Sequence, residues 1–205
     1  MSVEGEPLAG INRHATYMFQ QDALLPWKNV RENVALGLTL AGTTRADGHA
    51  RADDWLARVG LSAFATHYPS QLSGGMRKRV AMAQNWVIDR GMLLMDEPFS
   101  ALDVHTRQRM ETELLTLWEA TDPSAPRLRK TVIFVTHDLE EAIALADEVV
   151  VLSAGPASRI VARHPVTLDR PRELFELRTS PAFVDLYRSL WAILRDEVIK
   201  SQRLA

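Results

Sequence analysis

Residues 91–98 read Gly-Met-Leu-Leu-Met-Asp-Glu-Pro, and this stretch decides the fold that the rest of the sequence predicts. The apolar residues at positions 92–95 form a short run that ends directly in two carboxylates, Asp96 and Glu97. Such a nearly continuous run is typical of a strand that is buried on both faces of a parallel sheet. Because parallel sheets bind ligands at the carboxyl ends of their strands, the stretch predicts a strand that presents two acids at a ligand-binding edge.

Two further apolar runs, Thr131–Val135 and Glu148–Leu152, have the same character and predict two more strands of that sheet, also buried on both faces. Helical patterns at residues 104–120 and 139–146 lie between the runs. In the first of them, apolar residues recur at helical spacing, namely Met110, Leu114, Leu117 and Trp118. Strands that alternate with helices predict an α/β fold with a mostly parallel sheet flanked by helices.

The segment from residue 30 to residue 90 differs, because it shows helical patterns and no convincing strand. The helical patterns of this segment are at residues 29–40, 50–59 and 75–87. We interpret the segment as a mostly helical subdomain inserted into the α/β body. After residue 163 the pattern changes again, and residues 181–200 predict an amphipathic C-terminal helix. The predicted organisation is a main domain at residues 1–165 and a helical extension at residues 166–205.

The composition of the 205-residue chain, with 46% hydrophobic and 24% charged residues, is ordinary for a globular protein with one substantial core. A net charge of −2 gives no broad attraction to nucleic acid, so no nucleic-acid partner is expected. The absence of cysteine excludes disulfides, thiolate metal sites and a cysteine nucleophile. No apolar run is long enough to span a bilayer, and the N-terminus has no signal-peptide pattern. We therefore expect a cytoplasmic protein that meets a membrane only through a partner.

The two acids at the end of the 91–98 stretch suit phosphoryl chemistry. Asp96 is placed to hold Mg²⁺ through water, because Mg²⁺ prefers oxygen ligands and keeps its own waters. Glu97 can hold and polarise a water for attack on a phosphoryl group. The alternative is a strand that ends in a solvated acidic turn, and for this stretch taken alone that is the commoner outcome.

A second group of residues, Ser73, Gly74 and Gly75, precedes a basic helix and suits anion binding. The glycines let the backbone approach a ligand closely, and a helix N-terminus offers backbone N–H groups to an anion. Ser73 adds a hydroxyl donor. The alternative is a serine-capped helix start in which the glycines only shape a turn, and without context we favour that alternative.

Two more polar side chains, His137 and Gln20, are candidates for contact with a phosphate or a metal. His137 follows the run at residues 131–135 and could hydrogen-bond a terminal phosphate, although a solvated loop is the usual place for a histidine. Gln20 offers a neutral amide that can contact Mg²⁺ or water. Residues 25–27, Leu-Pro-Trp, are either an apolar contact surface or part of the core.

The order and spacing of these motifs indicate more than any one of them does. Gln20, Leu-Ser-Gly-Gly at residues 72–75, the apolar run with Asp-Glu-Pro, Ser-Ala-Leu-Asp at residues 100–103 and the strand before His137 occur in one order. With these motifs the chain resembles the ATP-binding subunits of ABC transporters over nearly its whole length. It is most similar to the nitrate/sulfonate/taurine importer group, through the stretches QDALLPWKNVRENVALGL, MDEPFSALD, RKTVIFVTHDLEEAIALADEVVVLSAGP and RPRELFELRTSPAF.

The resemblance implies a role in ATP hydrolysis for each residue that matches a family motif. Gln20 corresponds to the glutamine that contacts Mg²⁺ and links the site to the membrane subunit, and Asp96 corresponds to the Walker B aspartate. Glu97 corresponds to the catalytic glutamate, and His137 to the switch histidine that contacts the γ-phosphate. The implied cofactors are ATP and Mg²⁺, the metal being held by Gln20 and, through water, by Asp96.

The resemblance also implies an ATP site that is shared between two subunits. Ser73, Gly74 and Gly75 match the ABC signature, which contacts the γ-phosphate of ATP bound to the opposite subunit. Asp103 lies in the loop that communicates across the dimer, and the helical segment at residues 30–90 resembles the subdomain that presents the signature. The implied partners are a second ATP-binding subunit, two transmembrane permease subunits and, indirectly, a periplasmic or extracellular solute-binding protein. The implied location is the cytoplasmic face of the cell membrane.

The sequence departs from the family in one respect. The family has a phosphate-binding loop of the form G-x-x-x-x-G-K-S/T ahead of the glutamine, and this sequence has none. Residues 5–10 have the glycine spacing, but Ile11 and Asn12 follow where Lys and Ser/Thr are required. We therefore expect an N-terminally incomplete domain that neither binds ATP tightly nor hydrolyses it alone.

The sequence leaves several functions open. The first is an ATP-hydrolysing, energy-coupling subunit for import of a small anion such as nitrate, a sulfonate or taurine. The second is a non-catalytic ABC-like interaction subunit that completes the ATP site of an intact partner. The third, an ABC ATPase of DNA repair or translation, is disfavoured because the sequence has neither a long coiled-coil insertion nor a second ATP-binding cassette.

Overall fold

The computed structural model describes residues 2–3, 5–10, 12–100, 102–119, 130–155 and 157–204. For residue 6 and residues 201–204 it describes the backbone alone. The contacts divide the chain into two compact units, residues 1–135 and residues 136–205. The domain boundary that the sequence predicts at residue 165 stays a prediction.

The first unit combines a parallel sheet with helices, as the sequence predicts. Its strands are β1 (Ser2–Val3), β2 (Glu6–Pro7), β3 (Ala15–Met18), β4 (Met92–Asp96) and β5 (Thr131–Val135). Its α-helices are α1 (Val30–Leu40), α2 (Arg45–Arg58), α3 (Gly74–Trp86) and α4 (Val104–Glu119). Two short 3₁₀ turns, Ser62–Phe64 and Pro69–Gln71, connect α2 to α3. Between residues 30 and 90 the regular structure is entirely helical, which confirms the predicted helical segment.

The sheet of the first unit pairs β3 with β4 and β4 with β5, all in parallel. Met18 pairs with Met95, and Asp96 pairs with Val135, so the carboxyl ends of the strands meet at one edge. One face of the sheet is buried, because Met18, Leu93 and Met95 are each at most 2% exposed. Successive side chains of each strand lie on opposite faces of the sheet.

The opposite face of the same sheet is open. Tyr17, Leu94 and Ile133 lie in one row across it, and the residues at the two ends of the row are 43% and 52% exposed. Val135 is 58% exposed. The prediction that the 131–135 run is buried on both faces is therefore wrong, because only one face of β5 is covered.

Local capping signals set the helix boundaries in this unit. Asn29 and Glu32 form a reciprocal capping box at the start of α1, with N–H···O distances of 2.9 and 3.2 Å. Helix α2 begins at Arg45, earlier than the predicted residue 50, because the Thr44 hydroxyl accepts a hydrogen bond from the Asp47 N–H. The helices then pack on one apolar core, which contains Val30, Val34, Ala35, Leu38, Ala52, Leu56, Val59, Leu61, Ala65, Leu72, Val80, Ala83 and Val87.

Helices α3 and α4 approach each other closely at Gly75. A β-carbon added at Gly75 would lie 2.8 Å from Cγ2 of Thr106, which is closer than real β-carbons come to a neighbouring atom. The adjacent Gly74 has more room, since the nearest atom to its added β-carbon is Nη2 of Arg77 at 3.9 Å. The chain therefore requires glycine at position 75 for packing, whereas position 74 tolerates a small side chain.

The second unit pairs an antiparallel hairpin with helices. Its elements are β6 (Glu148–Leu152), β7 (Ile160–Pro165), α5 (Leu139–Leu145), α6 (Leu174–Leu177) and α7 (Pro181–Leu204). Strand β6 pairs antiparallel with β7, and Val149 and Val151 are buried while Val150 and Leu152 are exposed. The prediction that the 148–152 run is buried on both faces of the parallel sheet is therefore wrong. Its exposed residues share one face of a two-stranded hairpin.

Two arginines close the turn that follows α5. The side chain of Arg172, which is 1% exposed, donates through Nη1 to the carbonyls of Ala144 and Ala146, at 3.0 and 2.8 Å. Arg170 donates to Oδ1 of Asp147 at 3.0 and 2.8 Å through Nε and Nη2. Cationic donors at the C-terminal end of a helix satisfy its last carbonyls and stabilise its dipole.

Helix α7 carries a buried carboxylate that the sequence does not predict. Within the predicted amphipathic helix, the apolar residue Val198 is 41% exposed, whereas Glu197 is 8% exposed. The Glu197 carboxylate accepts hydrogen bonds from the Ala154 N–H, at 3.0 Å, and from the Lys200 ammonium. In the described part of the chain, no helix combines the length and apolar character needed to cross a bilayer.

We predict that Glu197→Gln destabilises the protein at neutral pH. The hydrogen bond from Lys200, followed by the one from Ala154, holds the pKa of Glu197 below its usual value. A carboxyl whose pKa is lowered on folding adds stability above its unfolded pKa, and this stability is lost as the pH falls through the folded pKa. Thermal unfolding followed by circular dichroism should show a lower Tm for Glu197→Gln at pH 7.

The difference in Tm between Glu197→Gln and the native protein should shrink as the pH is lowered below about 4, the region where glutamate protonates. Asp185→Asn serves as the control on the same helix, because Asp185 is 76% exposed and forms only a surface pair with Arg188. A difference in Tm that does not depend on pH would contradict the assigned role of the Glu197 charge.

We predict that Gly75→Ala lowers the free energy of unfolding by about 1–2 kcal/mol, because the added methyl group overpacks the contact between α3 and α4. Gly74→Ala, the matched control, should be neutral or slightly stabilising. Adding Thr106→Ser to Gly75→Ala removes the clashing Cγ2, keeps the hydroxyl and should restore stability. Urea unfolding measures all of these variants. Equal stability of Gly75→Ala and Gly74→Ala would contradict the packing argument.

Candidate functional site

Gln20 and Glu97 meet at the carboxyl edge of the parallel sheet. Gln20 follows β3 by two residues and Glu97 follows β4 directly, so the parallel pairing of these strands brings the two loops together. Nε2 of Gln20 donates a hydrogen bond to Oε2 of Glu97 at 2.9 Å and lies 3.5 Å from Oγ of Ser100. The amide of one loop thus contacts the carboxylate that is the candidate for polarising water.

Glu97 has an unusual backbone conformation. Its φ is 39°, in the left-handed region that residues with a side chain rarely adopt. The Glu97 N–H donates to the carbonyl of Val135 at 2.9 Å, and its own carbonyl accepts a hydrogen bond from the Ser100 hydroxyl at 3.1 Å. These contacts hold a strained turn, and strain of this kind clusters at functional sites because the surrounding structure must support it.

Asp96, the last residue of β4, has a partner that the sequence analysis missed. The Tyr17 hydroxyl donates to Oδ2 of Asp96 at 3.1 Å. Partial desolvation and, after it, the hydrogen bond to Asp96 raise the pKa of the Tyr17 phenol above its usual value. Tyr17 lies on β3, and its contact depends on the register between β3 and β4, which the sequence pattern does not specify.

Ser73, Gly74, Gly75 and Asp103 line a second, separate pocket of about 250 Å³ in the first unit. The other residues that line it are Arg79, Leu102, Thr106, Arg109 and Met110. The pocket lies between the start of α3 and the start of α4, which Gly75 allows to come close together. The arginines and the two helix N-termini can contact an anion, although Asp103 adds one negative charge and Glu113 pairs with Arg79 and Arg109, at 3.8 and 3.3 Å.

Ser73 also caps α3, which is the alternative that the sequence analysis favoured for it. Its Oγ accepts a hydrogen bond from the Met76 N–H at 3.3 Å. A hydroxyl that accepts one hydrogen bond still has its own proton to donate, so capping and anion binding are compatible. The cap fixes the orientation of the hydroxyl at the mouth of the pocket.

Asp103 has a similar position at the start of α4. Its Oδ1 accepts a hydrogen bond from the Thr106 N–H at 3.0 Å. Hydrogen bonds from the Thr106 side chain and then from its backbone hold the pKa of Asp103 below the usual value, so the carboxylate is charged at neutral pH. Ala101, which belongs to the predicted loop at residues 100–103, lies outside the described residues.

His137 belongs to the second unit, where a capped turn presents it. The Asp138 N–H donates to Oγ1 of Thr136 at 3.0 Å, and Thr136 in turn hydrogen-bonds the buried carboxylate of Glu141. The Asp138 carboxylate caps α5 by accepting from the N–H groups of Glu140 and Glu141, at 3.0 and 3.2 Å. The predicted contact of His137 with a terminal phosphate stays a prediction.

The oxygen donors at the sheet edge fit a hydrated Mg²⁺ ion. Within the described ranges, no group of three or more histidine, aspartate or glutamate side chains converges as an all-protein metal site. Mg²⁺ bound together with a nucleotide needs only one or two protein oxygens, since water and phosphate complete its octahedral shell. The Asp96 carboxylate and the Gln20 amide oxygen are donors of the required kind.

Known proteins with similar sequences are ABC transporter ATP-binding proteins. The ABC transporter family model matches residues 2–100. The taurine import ATP-binding protein TauB of Burkholderia pseudomallei is 43% identical over 194 residues, which are 93% of this chain and 72% of that protein. An uncharacterized ABC transporter ATP-binding protein of Methanocaldococcus jannaschii is 41% identical over 199 residues, which are 97% of this chain and 70% of that protein.

A solved structure has the same fold. It is the dimeric, post-hydrolysis state of the ATP-binding cassette MJ0796 bound to ADP and Pi, with 29% sequence identity and a TM-score of 0.60. The similarity covers 74% of this chain and 62% of that chain, which is less than two thirds of the solved protein. It confirms the α/β fold class, with its parallel sheet and flanking helices. Because relatives at 43% and 41% identity match more than nine tenths of its length, the chain belongs to the family of ABC transporter ATP-binding proteins.

Proposed function

We propose that the protein is the ATP-hydrolysing, energy-coupling subunit of an ABC importer for a small anion such as taurine, another sulfonate or nitrate. The observation that carries the proposal is the 2.9 Å hydrogen bond between Gln20 and Glu97 beside Asp96, at the edge where parallel sheets bind ligands. An amide and two carboxylates in this arrangement suit a hydrated magnesium ion and an attacking water. The similarity to proteins named as taurine import subunits supports the choice of substrate class.

Each candidate residue would have a distinct task in the proposed reaction. Mg²⁺ and ATP, when bound, supply the divalent charge and the phosphoryl group that is transferred to water. Asp96 would accept hydrogen bonds from water on the metal, and Gln20 would offer its amide oxygen to the metal. Glu97 orients and polarises the attacking water, and His137 donates a hydrogen bond to the terminal phosphate. Phosphoryl transfer depends mostly on such positioning and charge stabilisation.

The proposal includes a second ATP-binding subunit, most simply a copy of the same chain. The pocket formed by Ser73, Gly74, Gly75 and Asp103 would receive the phosphates of ATP bound to that subunit, because its helix N-termini and arginines suit an anion. Trp27 is 71% exposed on the loop after Gln20 and is a candidate for contact with a permease subunit. Two permease subunits would hold the protein at the cytoplasmic face of the membrane, and a solute-binding protein would deliver the anion to them.

We predict that Glu97→Gln, introduced into the gene in its own cell, lowers uptake of the imported anion at least tenfold. The substitution keeps the shape of the side chain and removes the charge that polarises water. Uptake of labelled taurine, an alkanesulfonate and nitrate measures the effect. Glu148→Gln is the matched control, because Glu148 is 51% exposed and forms a surface ion pair with Arg163 of β7 at 3.6 Å.

Unchanged uptake of all three anions in the Glu97→Gln cell would contradict the proposed function. Loss of uptake of one anion, with the control unaffected, would support the function and identify the substrate. Equal losses in Glu97→Gln and Glu148→Gln would also count against it, because a destabilised protein explains such a result without any catalytic role for Glu97.

We further predict that the purified 205-residue polypeptide does not hydrolyse Mg²⁺-ATP by itself. Its sequence has no Gly-Lys-Ser/Thr loop to hold the phosphates, so Gln20 and Glu97 have no positioned substrate. Phosphate release by this polypeptide should equal that of its Glu97→Gln variant. Phosphate release that Glu97→Gln abolishes would contradict this prediction.

A second candidate function is a non-catalytic ABC-like subunit that completes the ATP site of an intact partner. The observation that favours it is that the pocket lined by Ser73 and Asp103 lies within the first unit. None of the residues that line it is Gln20 or Glu97. A mixed dimer with an intact ATP-binding subunit would then bind one ATP, whereas two bound ATP molecules would exclude this function.

A further inference from the structure

Lys78, in the first turns of α3, is a buried lysine with two partners far away in the sequence. Its side chain is 3% exposed. Its Nζ donates to the main-chain carbonyl of Gln20 at 2.6 Å and forms an ion pair with Oδ1 of Asp22 at 3.3 Å. A buried ammonium is costly unless it is paired and hydrogen-bonded, so these partners are a condition for its burial.

The neighbouring Arg77 binds the other oxygen of the same carboxylate. Its Nε lies 3.2 Å from Oδ2 of Asp22, and its Nη1 donates to the carbonyl of Leu72 at 2.8 Å. Leu72 immediately precedes Ser73, the cap of α3. A single carboxylate, Asp22, is therefore held by two successive cations of α3. One of them, Arg77, also holds the carbonyl of Leu72, which precedes the candidate anion pocket.

The far end of the loop that follows Gln20 is fixed separately. Asn33 on α1 is fully buried, and its side chain accepts a hydrogen bond from the Leu25 N–H at 2.7 Å. The same side chain donates to the carbonyls of Leu25 and Lys28, at 3.1 and 2.9 Å. Between the two attachments lies Ala23, whose φ of 49° marks a tight turn. The position of Gln20 therefore depends on β3 before it and on the attachment at Lys78 and Asp22 after it.

We propose that Lys78 is a positioning residue, which ties the loop of Gln20 to the signature helix α3 and thereby holds the Gln20 amide against Glu97. The ammonium acts on the main chain of Gln20 and on Asp22, while the side chain of Gln20 reaches the carboxylate of Glu97. A shift of α3 would carry the loop with it and would separate the amide from the carboxylate. A movement at the pocket lined by Ser73 and Asp103 would in this way change the sheet edge of the same subunit.

The value of this coupling for hydrolysis rests on the proposed function, but the coupling itself can be tested without nucleotide. The Gln20–Glu97 contact is a surface hydrogen bond between two flexible side chains, so it persists only if the backbone of Gln20 is held in place. Removing the charge of Lys78 or of Asp22 releases that backbone. It leaves Gln20 and Glu97 themselves unchanged.

The experiment measures the side-chain amide signals of Gln20 by NMR in the ¹⁵N-labelled 205-residue chain, with Gln20→Leu identifying the signals by their loss. Glu97→Ala removes the acceptor and gives the chemical shifts of a Gln20 amide that is released from Glu97. Lys78→Met and Asp22→Asn should each move the Gln20 signals at least half of the way to that released position. Arg31→Met is the control, because it removes an ion pair of the same helical segment, Arg31–Asp53 at 2.6 Å, which joins α1 to α2.

Gln20 signals that stay at the native position in folded Lys78→Met would overturn the proposal, and so would an equal displacement in Arg31→Met. If Lys78→Met loses the dispersion of a folded protein, Asp22→Asn decides the question, since it preserves the shape of the carboxylate. Unchanged anion uptake in the Glu97→Gln cell would contradict the proposed function and would leave this result standing. Native Gln20 signals in the variants would contradict the coupling and leave the proposed function open.

Discussion

Parallel pairing of β3 with β4 is the constraint on which the candidate site depends. Because both strands run in one direction, the loops that follow them leave the sheet at the same edge. Gln20 therefore reaches Glu97, although the two residues are 77 positions apart in the sequence. The buried face of these strands, with Met18, Leu93 and Met95, stabilises the pairing through apolar contacts. The polar edge is thus positioned by apolar residues on the buried face of the sheet.

The first unit holds two groups of candidate residues, and α3 connects them. Gln20, Asp96 and Glu97 lie at the sheet edge, whereas Ser73 and Asp103 line the pocket at the helix starts. In the proposed dimer each group would serve a different nucleotide, so one subunit would relate two half-sites to each other. Ion pairs join α3 to the loop after Gln20, and the proposed coupling between the two groups runs through them.

Local patterns in the sequence predicted those parts of the fold that depend on short-range chemistry. The apolar run that becomes β4 and the acids after it were recognisable because a buried strand and a charged turn have distinct compositions. The start of α2 was placed too late, although Thr44 and Asp47 are a readable capping signal. The burial of β6 was misjudged, because antiparallel pairing with β7 leaves one of its faces exposed and the apolar run alone does not reveal the partner strand.

Contacts that depend on register or on distant helices could not be predicted from the sequence. Tyr17 reaches Asp96 only in one register of β3 and β4, and Lys78 looks like one more charge on a basic helix until its burial is known. The most direct test of the account is a crystal structure of the protein, as its cell makes it, with Mg²⁺ and a non-hydrolysable ATP analogue. We expect the Gln20 amide oxygen about 2.1 Å from the metal and the Asp96 carboxylate hydrogen-bonded to a metal-bound water. A metal and phosphates bound away from this edge, with Gln20 still on Glu97, would contradict the account.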